Sequence, residues 1–330
     1  MLTLYINYNN PKLIILMKLF SVYKLKFILG IATTFIIIGC GLNSTQNLNL
    51  NSVDVTPVRV VSHAMGETKV PLHPQRVIVL GGLDNILALG IKPIAATTLG
   101  DNNFLKYLDH LTDGIEKIGT NGQPNLEKIL YLKPDLILGL NWDADLYENL
   151  SQIAPTVLAE GDTDWKQWLR KFAEAVGETE HAENLLQEYD QRIKDLRVTM
   201  GDNLTKTQVS LVNFWANSAR IYMNRSFSGS IIKEIGFSRP VYQDKDKTQE
   251  NVSLELIPQM AGDAIFLILG GHNESKLQQF INHPLWSDLP AVQENRIYPV
   301  RNDVWIAAWG IIGANQVLDD IFRYLIGETS

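Results

Sequence analysis

An α/β architecture of two parallel-sheet lobes bridged by one long helix is the fold this chain encodes. Apolar runs such as Arg76-Val77-Ile78-Val79-Leu80 and Asp135-Leu136-Ile137-Leu138-Gly139-Leu140 show no polar alternation, as strands covered on both faces require. Short segments of helical spacing alternate with these runs, the order that builds parallel sheets. Between two regions of this kind, residues 166–200 read as continuous helical connection.

The N-terminal lobe spans residues 58–165. His73-Pro74 leads into the first buried strand, Gly81-Gly82 forms a tight turn, and residues 83–89 make a short helix closed by Gly90. Residues 91–96 start another strand. Residues 126–132 are helical, Lys133-Pro134 stops them, and the strand from Asp135 to Leu140 follows. Residues 145–152 are helical again and residues 154–157 extended. In the connection, Trp168, Leu169, Phe172, Ala173 and Val176 form one apolar stripe up to Gly177, and Ala182, Leu185, Leu186, Tyr189, Ile193 and Leu196 form a second. The C-terminal lobe, residues 201–330, is predicted to hold strands over 209–215, 219–223, 264–269 and 296–300, helices over 229–235 and 254–260, short helices over 277–280 and 284–289, and a terminal helix over 310–325. Leu126-Glu127-Lys128-Ile129 before Pro134-Asp135-Leu136-Ile137-Leu138 is echoed by Leu254-Glu255-Leu256-Ile257-Pro258 before Asp263-Ala264-Ile265-Phe266-Leu267, suggesting lobes of related design facing one another across a cleft.

Ahead of the lobes, Lys18, Lys24 and Lys26 precede an apolar run over residues 27–39 that ends at Cys40, the only cysteine. That run falls short of the roughly 20 residues that span a bilayer, so residues 17–39 read as a secretion signal, with a single membrane-spanning anchor as the alternative. Ile37-Ile38-Gly39-Cys40 resembles a lipobox, which implies lipidation of Cys40 as the first mature residue. The body would then sit on the periplasmic side of the cytoplasmic membrane, or on the outer face of the membrane in a host without an outer one. Met17 begins a conventional signal, so residues 1–16 are set aside as an upstream start. Residues 40–57, rich in Asn, Ser, Thr and Val, form a flexible tether.

The formal net charge of -7 and the absence of basic clusters argue against a nucleic-acid partner. Enzymatic constellations are hard to assemble: no cysteine remains after Cys40, no G-x-S-x-G elbow precedes a helix, and no phosphate loop occurs. His63, His73, His110, His181, His272 and His283 nowhere pair at a spacing that puts two imidazoles on one helical face. A lipoprotein that binds a metal cation directly, through ligands converging from distant positions, and an extracytoplasmic hydrolase remain as alternatives. Loops after parallel strands gather at one sheet edge, where ligands bind. Trp142, Trp215, Tyr222 and Trp305 are expected there as an apolar wall, with Arg220 and Arg225 meeting an anionic, oxygen-rich ligand. Core packing for the tryptophans and plain surface exposure for the arginines are the competing explanations.

From Val58 to Leu325 the chain resembles the periplasmic binding proteins that deliver iron(III) siderophores, and more distantly cobalamin or haem, to ABC importers. The resemblance rests on Arg76-Val77-Ile78-Val79-Leu80, Ile118-Gly119, Gln123-Pro124-Asn125-Leu126-Glu127-Lys128-Ile129, and Leu132-Lys133-Pro134-Asp135-Leu136-Ile137. It continues through Leu150-Ser151-Gln152-Ile153-Ala154-Pro155-Thr156-Val157, His283-Pro284-Leu285-Trp286 with Leu289-Pro290-Ala291-Val292, Asn295-Arg296-Ile297-Tyr298, and Leu318-Asp319-Asp320-Ile321. It implies two Rossmann-like lobes of the class III, helical-backbone type and a monomer without enzymatic activity. It also implies an iron(III) chelate, hydroxamate or citrate-hydroxamate, as ligand, with no protein metal ligand and no cofactor beyond the lipid. Family members dock on the permease dimer through an acidic residue on each lobe, and Glu127 and Glu255 occupy the matching places.

Overall fold

The computed structural model describes residues 57–100, 102–161, 164–215, 217–270 and 274–327. The assignments over 1–16, 17–39 and 40–56, Cys40 included, and His272 lie outside the described residues.

β1 (Val58–His63) and β2 (Gly66–Pro71) pair as an antiparallel hairpin that the apolar pattern did not announce. The N-terminal lobe then lays down β3 (Val77–Val79), β4 (Ala95–Thr98), β5 (Glu116–Thr120), β6 (Gln123–Pro124), β7 (Leu136–Leu140) and β8 (Thr156–Ala159). Their order is β6-β5-β4-β3-β7-β8, parallel except for the short β5–β6 pair. The chain leaves β3 toward β4 on one side and returns as β7 on the other. Winding therefore reverses between β3 and β7, and a crevice opens beyond the C-terminal ends of those strands. The strand expected from residue 91 is regular only from Ala95, since Pro93 has no N–H for the ladder.

The C-terminal lobe holds β9 (Val209–Trp215), β10 (Ser218–Tyr222), β11 (Gln249–Asn251), β12 (Ala264–Gly270) and β13 (Ile297–Arg301) in the order β11-β10-β9-β12-β13. β9, β12 and β13 are parallel, while β10 and β11 run antiparallel to their neighbours. The segment Leu254–Met260 is a 3-10 helix carrying Pro258, which removes a donor an α-helix would need.

The sequence echo between the lobes is also a structural one. Asp135, just before β7, accepts from the backbone N–H groups of Gln75 at 2.7 Å and Arg76 at 2.8 Å, the residues that lead into β3. Asp263, just before β12, accepts from Gln208 N–H at 2.7 Å, next to β9. In each lobe the same carboxylate staples the central strand pair at its N-terminal edge.

Two helices make the connection. The first, Trp165–Val176, starts on Asp164, whose carboxylate accepts from the Lys166 and Gln167 N–H groups, and ends at Gly177 with φ 88. The second, Thr179–Met200, has 22 residues and a length of about 33 Å. Alternation along each central strand decides which core it feeds. Ile78 and Ile137 point into a core private to the N-terminal lobe, and Val212 and Ile265 into one private to the C-terminal lobe. Val77, Val79 and Leu138 face the other way, into a larger core shared with Trp168, Phe172, Phe227, Phe266 and Val317.

Candidate functional site

At the winding reversal, Gly81 and Gly82 turn the chain from β3 into the Leu83–Ala88 helix. Gly82 has φ +72, and a Cβ there would lie 3.0 Å from the Phe172 ring, so the turn needs glycine on both counts. The turn borders a cavity of about 260 Å³. Its N-terminal-lobe wall comprises this turn, Thr97 and Thr98 at the end of β4, Asn121 after β5 and Trp142 after β7; Trp168 adds the linker side and Ala307, Ala308 and Trp309 the C-terminal lobe. Thr97 Oγ1 donates to Asn121 Oδ1 at 2.7 Å and Thr98 Oγ1 to the Gly119 carbonyl at 3.2 Å. Among the described lining residues there is no Lys or Arg.

Three indoles run along the cavity. Trp142 meets Trp168 edge-on with centroids 5.4 Å apart, and Trp168 meets Trp309 at 5.8 Å. Trp142 is 46% exposed although it packs in this row, as a residue waiting for a partner surface would be. Trp309 has φ 49, a left-handed conformation unusual for an indole residue. Its carbonyl accepts from Asn85 Nδ2 at 3.2 Å.

Next to Asn85, the Asp84 side chain is buried and borders the cavity. Its carboxylate accepts from the backbone N–H groups of Ile312 and Gly313, each at 2.9 Å, and from Tyr107 Oη at 2.6 Å. Burial pushes the Asp84 carboxyl up to about 6, partly offset by those three hydrogen bonds, and pushes the Tyr107 phenol well above its ordinary value. Asp143 is also buried and is pushed up to about 6 by the same cause, with the Leu140 N–H bond pulling the other way.

Of the expected ligand contacts, only Trp142 borders the cavity. Trp215 ends β9 and is 42% exposed, its ring lying over Gly270, where a Cβ would come within 2.9 Å. Arg220 is half-buried beside Ser218, donates to its hydroxyl at 3.3 Å, and pairs in register with Asn213. Arg220 Nε and Asn213 Oδ1 have no partner among the described residues. Both lie toward the C-terminal end of β9.

Trp305, Tyr222 and Arg225 require correction as cavity residues. Trp305 is fully buried in the short helix Asn302–Trp305, stacked on Phe266 at 4.4 Å with Nε1 donating to Asp320 at 2.8 Å. Tyr222 is buried in the shared core, bonded by Arg220, and burial raises its phenol above the usual value. Arg225 lies past the end of β10 opposite Trp215, because the antiparallel strand carries the chain away from that edge. Sequence reasoning missed Trp168, Trp309, Asp84 and the exposed Arg301, which ends β13 and donates through Nε to Asp303 at 3.0 Å. An aromatic inside a helical stripe looks like core, and Trp168 belongs to both core and cavity wall.

Glu127 and Glu255 are exposed, each in the first turn of the helix that precedes a central strand of its lobe. Asn125 caps the first helix by accepting from Lys128 N–H at 2.9 Å, while Ser253 Oγ donates to Glu255 at 2.6 Å and lowers its carboxyl. Neither glutamate forms an ion pair among the described residues.

A family model described as periplasmic binding protein matches residues 81–304. The chain is 36% identical over 304 residues to a protein of Bacillus subtilis named probable siderophore-binding lipoprotein YfiY, covering 86% of this chain and 93% of that one. It is 34% identical over 298 residues to an achromobactin-binding periplasmic protein of Dickeya dadantii, covering 86% and 96%. Among solved structures, Staphylococcus aureus SirA complexed with staphyloferrin B matches with a TM-score of 0.72 and 29% identity, over 81% of this chain and 98% of that one.

Proposed function

The chain belongs to the periplasmic binding protein family, within its iron-siderophore-binding group, and on that premise we propose that it captures an iron(III) chelate of hydroxamate or citrate-hydroxamate type in the interlobe cavity. It is a solute-binding protein of iron transport that serves an ABC importer, and it is not an enzyme. Iron keeps the oxygens of its chelator, and the protein makes and breaks no covalent bond.

One observation supports the ligand class: the cavity is walled by indoles, leucines, threonines, an asparagine and the hydrogen-bonded Asp84, without a cation among the described lining residues. A chelate of low net charge suits such a wall, whereas a highly anionic catecholate complex calls for a basic one. Carboxylate arms of a citrate-bearing chelator would reach Arg220 and Arg301 at the C-terminal sheet edge. Trp142 and Trp309 supply apolar area from the two lobes.

Handover uses Glu127 and Glu255. Exposed, outside any ion pair among the described residues and repeated in both lobes, they would meet cations of a permease dimer and fix register more than affinity. Cys40 would carry the lipid that holds the monomer at the membrane.

Titration of intrinsic tryptophan fluorescence tests the ligand. Quenching by an iron-loaded hydroxamate or citrate-hydroxamate at sub-micromolar concentration, without a response to the iron-free chelator, is the expected result. Tighter binding of a ferric catecholate, cobalamin or haem overturns the ligand class. Joint Glu127→Arg and Glu255→Arg exchange should abolish uptake while binding persists; continued uptake removes the docking role.

A further inference from the structure

The terminal helix Ile311–Ile321 begins at Gly310, which has no side chain to cap it. Its first turn is capped instead from the other lobe: Asp84 receives Ile312 N–H on Oδ1 and Gly313 N–H on Oδ2, 228 and 229 residues away in sequence. Tyr107 fixes the same carboxylate from a third element, and the charges acting on that phenol are Asp84, Asp303 and Arg301. The helix end fits around the carboxylate closely. A Cβ on Gly310 would lie 2.3 Å from the Asp84 carboxyl, and one on Gly313 would lie 2.2 Å from Ala308 Cβ. The adjacent Asn85 amide holds the Trp309 carbonyl at 3.2 Å. Residues 84 and 85 thus grip Trp309 and the helix turn that follows it, the C-terminal end of the segment that brings Ala307, Ala308 and Trp309 to the cavity.

We propose that Asp84 is a positioning residue for ligand capture: by capping the terminal helix across the lobes, it holds the Trp309 indole in place as a preformed cavity wall. The proposal rests on the cavity being the capture site. Trp309 holds a left-handed backbone, φ 49, and such conformations persist only where their surroundings over-determine them: here the Trp168 and Phe227 rings, the Asn85 amide and the capped helix turn that follows. With the wall fixed in the empty protein, the ligand need not order it on arrival, and affinity gains by that saved ordering. Lobe movement on binding is then confined to parts outside this grip.

Amide exchange and chelate binding, measured on the full chain, test the role. In Asp84→Asn the amide offers one acceptor oxygen, so protection of the Ile312 and Gly313 amides in the unliganded protein should fall at least tenfold. Affinity for an iron(III) trihydroxamate or iron(III) citrate, whichever the wild type binds, should fall at least tenfold. In a Trp309→Ala background the same Asp84→Asn change should have almost no further effect on affinity, an outcome a general loss of stability would not produce. Undiminished affinity in Asp84→Asn, or an equal loss in both backgrounds, overturns the proposal. Should Asp84→Asn not fold, Tyr107→Phe removes one of the three bonds and should show the same pattern at smaller amplitude. If the wild type binds neither chelate, the capture reading is what fails; unchanged protection at Ile312 and Gly313 would separately overturn the grip.

Discussion

Replacing Trp305 separates a core tryptophan from a ligand-binding one. Its side chain is fully buried, lies on Phe266 with ring planes 26° apart, and donates to Asp320 at 2.8 Å. Truncation to alanine removes a large apolar side chain and leaves a cavity, at about 3–5 kcal/mol. Against a typical total of about 5–15 kcal/mol, that leaves a weakened protein. Trp305→Phe keeps most of the stacked area and loses the indole donor. Burial already raises the Asp320 carboxyl, and Arg323 at 3.3 Å remains as its other partner, so the cost is about 1–3 kcal/mol. Urea unfolding followed by far-ultraviolet circular dichroism should order the chains as wild type, Phe, Ala, and chelate affinity of the folded Phe variant should stay within about twofold of wild type. A Phe variant of wild-type stability with affinity down tenfold, a loss of about 1.4 kcal/mol, would refute the core assignment and return Trp305 to the ligand.

Trp142→Ala should behave in the opposite way: half-exposed, it should cost about 1 kcal/mol or less in urea unfolding yet weaken chelate binding at least tenfold by calorimetry. Asp84 and Asp143, both pushed up to about 6, bind their protons more tightly in the folded state than in the unfolded chain. Their stabilising contribution is therefore complete below about 4 and lost as pH rises through about 6, worth up to about 3 kcal/mol for each. Stability curves from pH 4 to 7 for Asp84→Asn and Asp143→Asn should each lack part of that slope. His63 has the reverse sign: burial lowers its pKa, so its contribution is present above the ordinary value of 6.5 and is lost as pH falls through the lowered one. His63→Asn should flatten the acid side of the curve, and an unchanged acid side would contradict the assignment. Gly119→Ala, with φ +105 and a Cβ 2.4 Å from the Gln123 carbonyl, should lower the melting temperature by several degrees in a thermal scan.

Strands buried on both faces were legible because that environment selects long apolar runs, interrupted only by hydrogen-bonded groups such as Ser210 and Asn213, and both lobes follow from them. The staples Asp135 and Asp263 were visible as an echo, although their bonds to Gln75, Arg76 and Gln208 were not. The β1–β2 hairpin escaped notice because residue type does not follow burial in it: Val58 and Val60 are exposed while His63 is buried. Trp142 was accessible to reasoning since it directly follows a strand. Trp305 was misplaced because a tryptophan in an apparent loop looks free until the four-residue helix around it and Phe266 beneath it are known. Asp84 carried no local signal at all: its partners stand 23, 228 and 229 positions away.

The large core that admits Val79 from one lobe, Phe266 from the other and Val317 from the terminal helix has an evolutionary consequence. A recombinant gene that took one half from this chain and the other from a relative would have to match two unrelated halves of a single apolar interior. Selectivity for a new chelate is therefore acquired more readily by rewriting the short segments at the rims of the sheets than by exchanging halves.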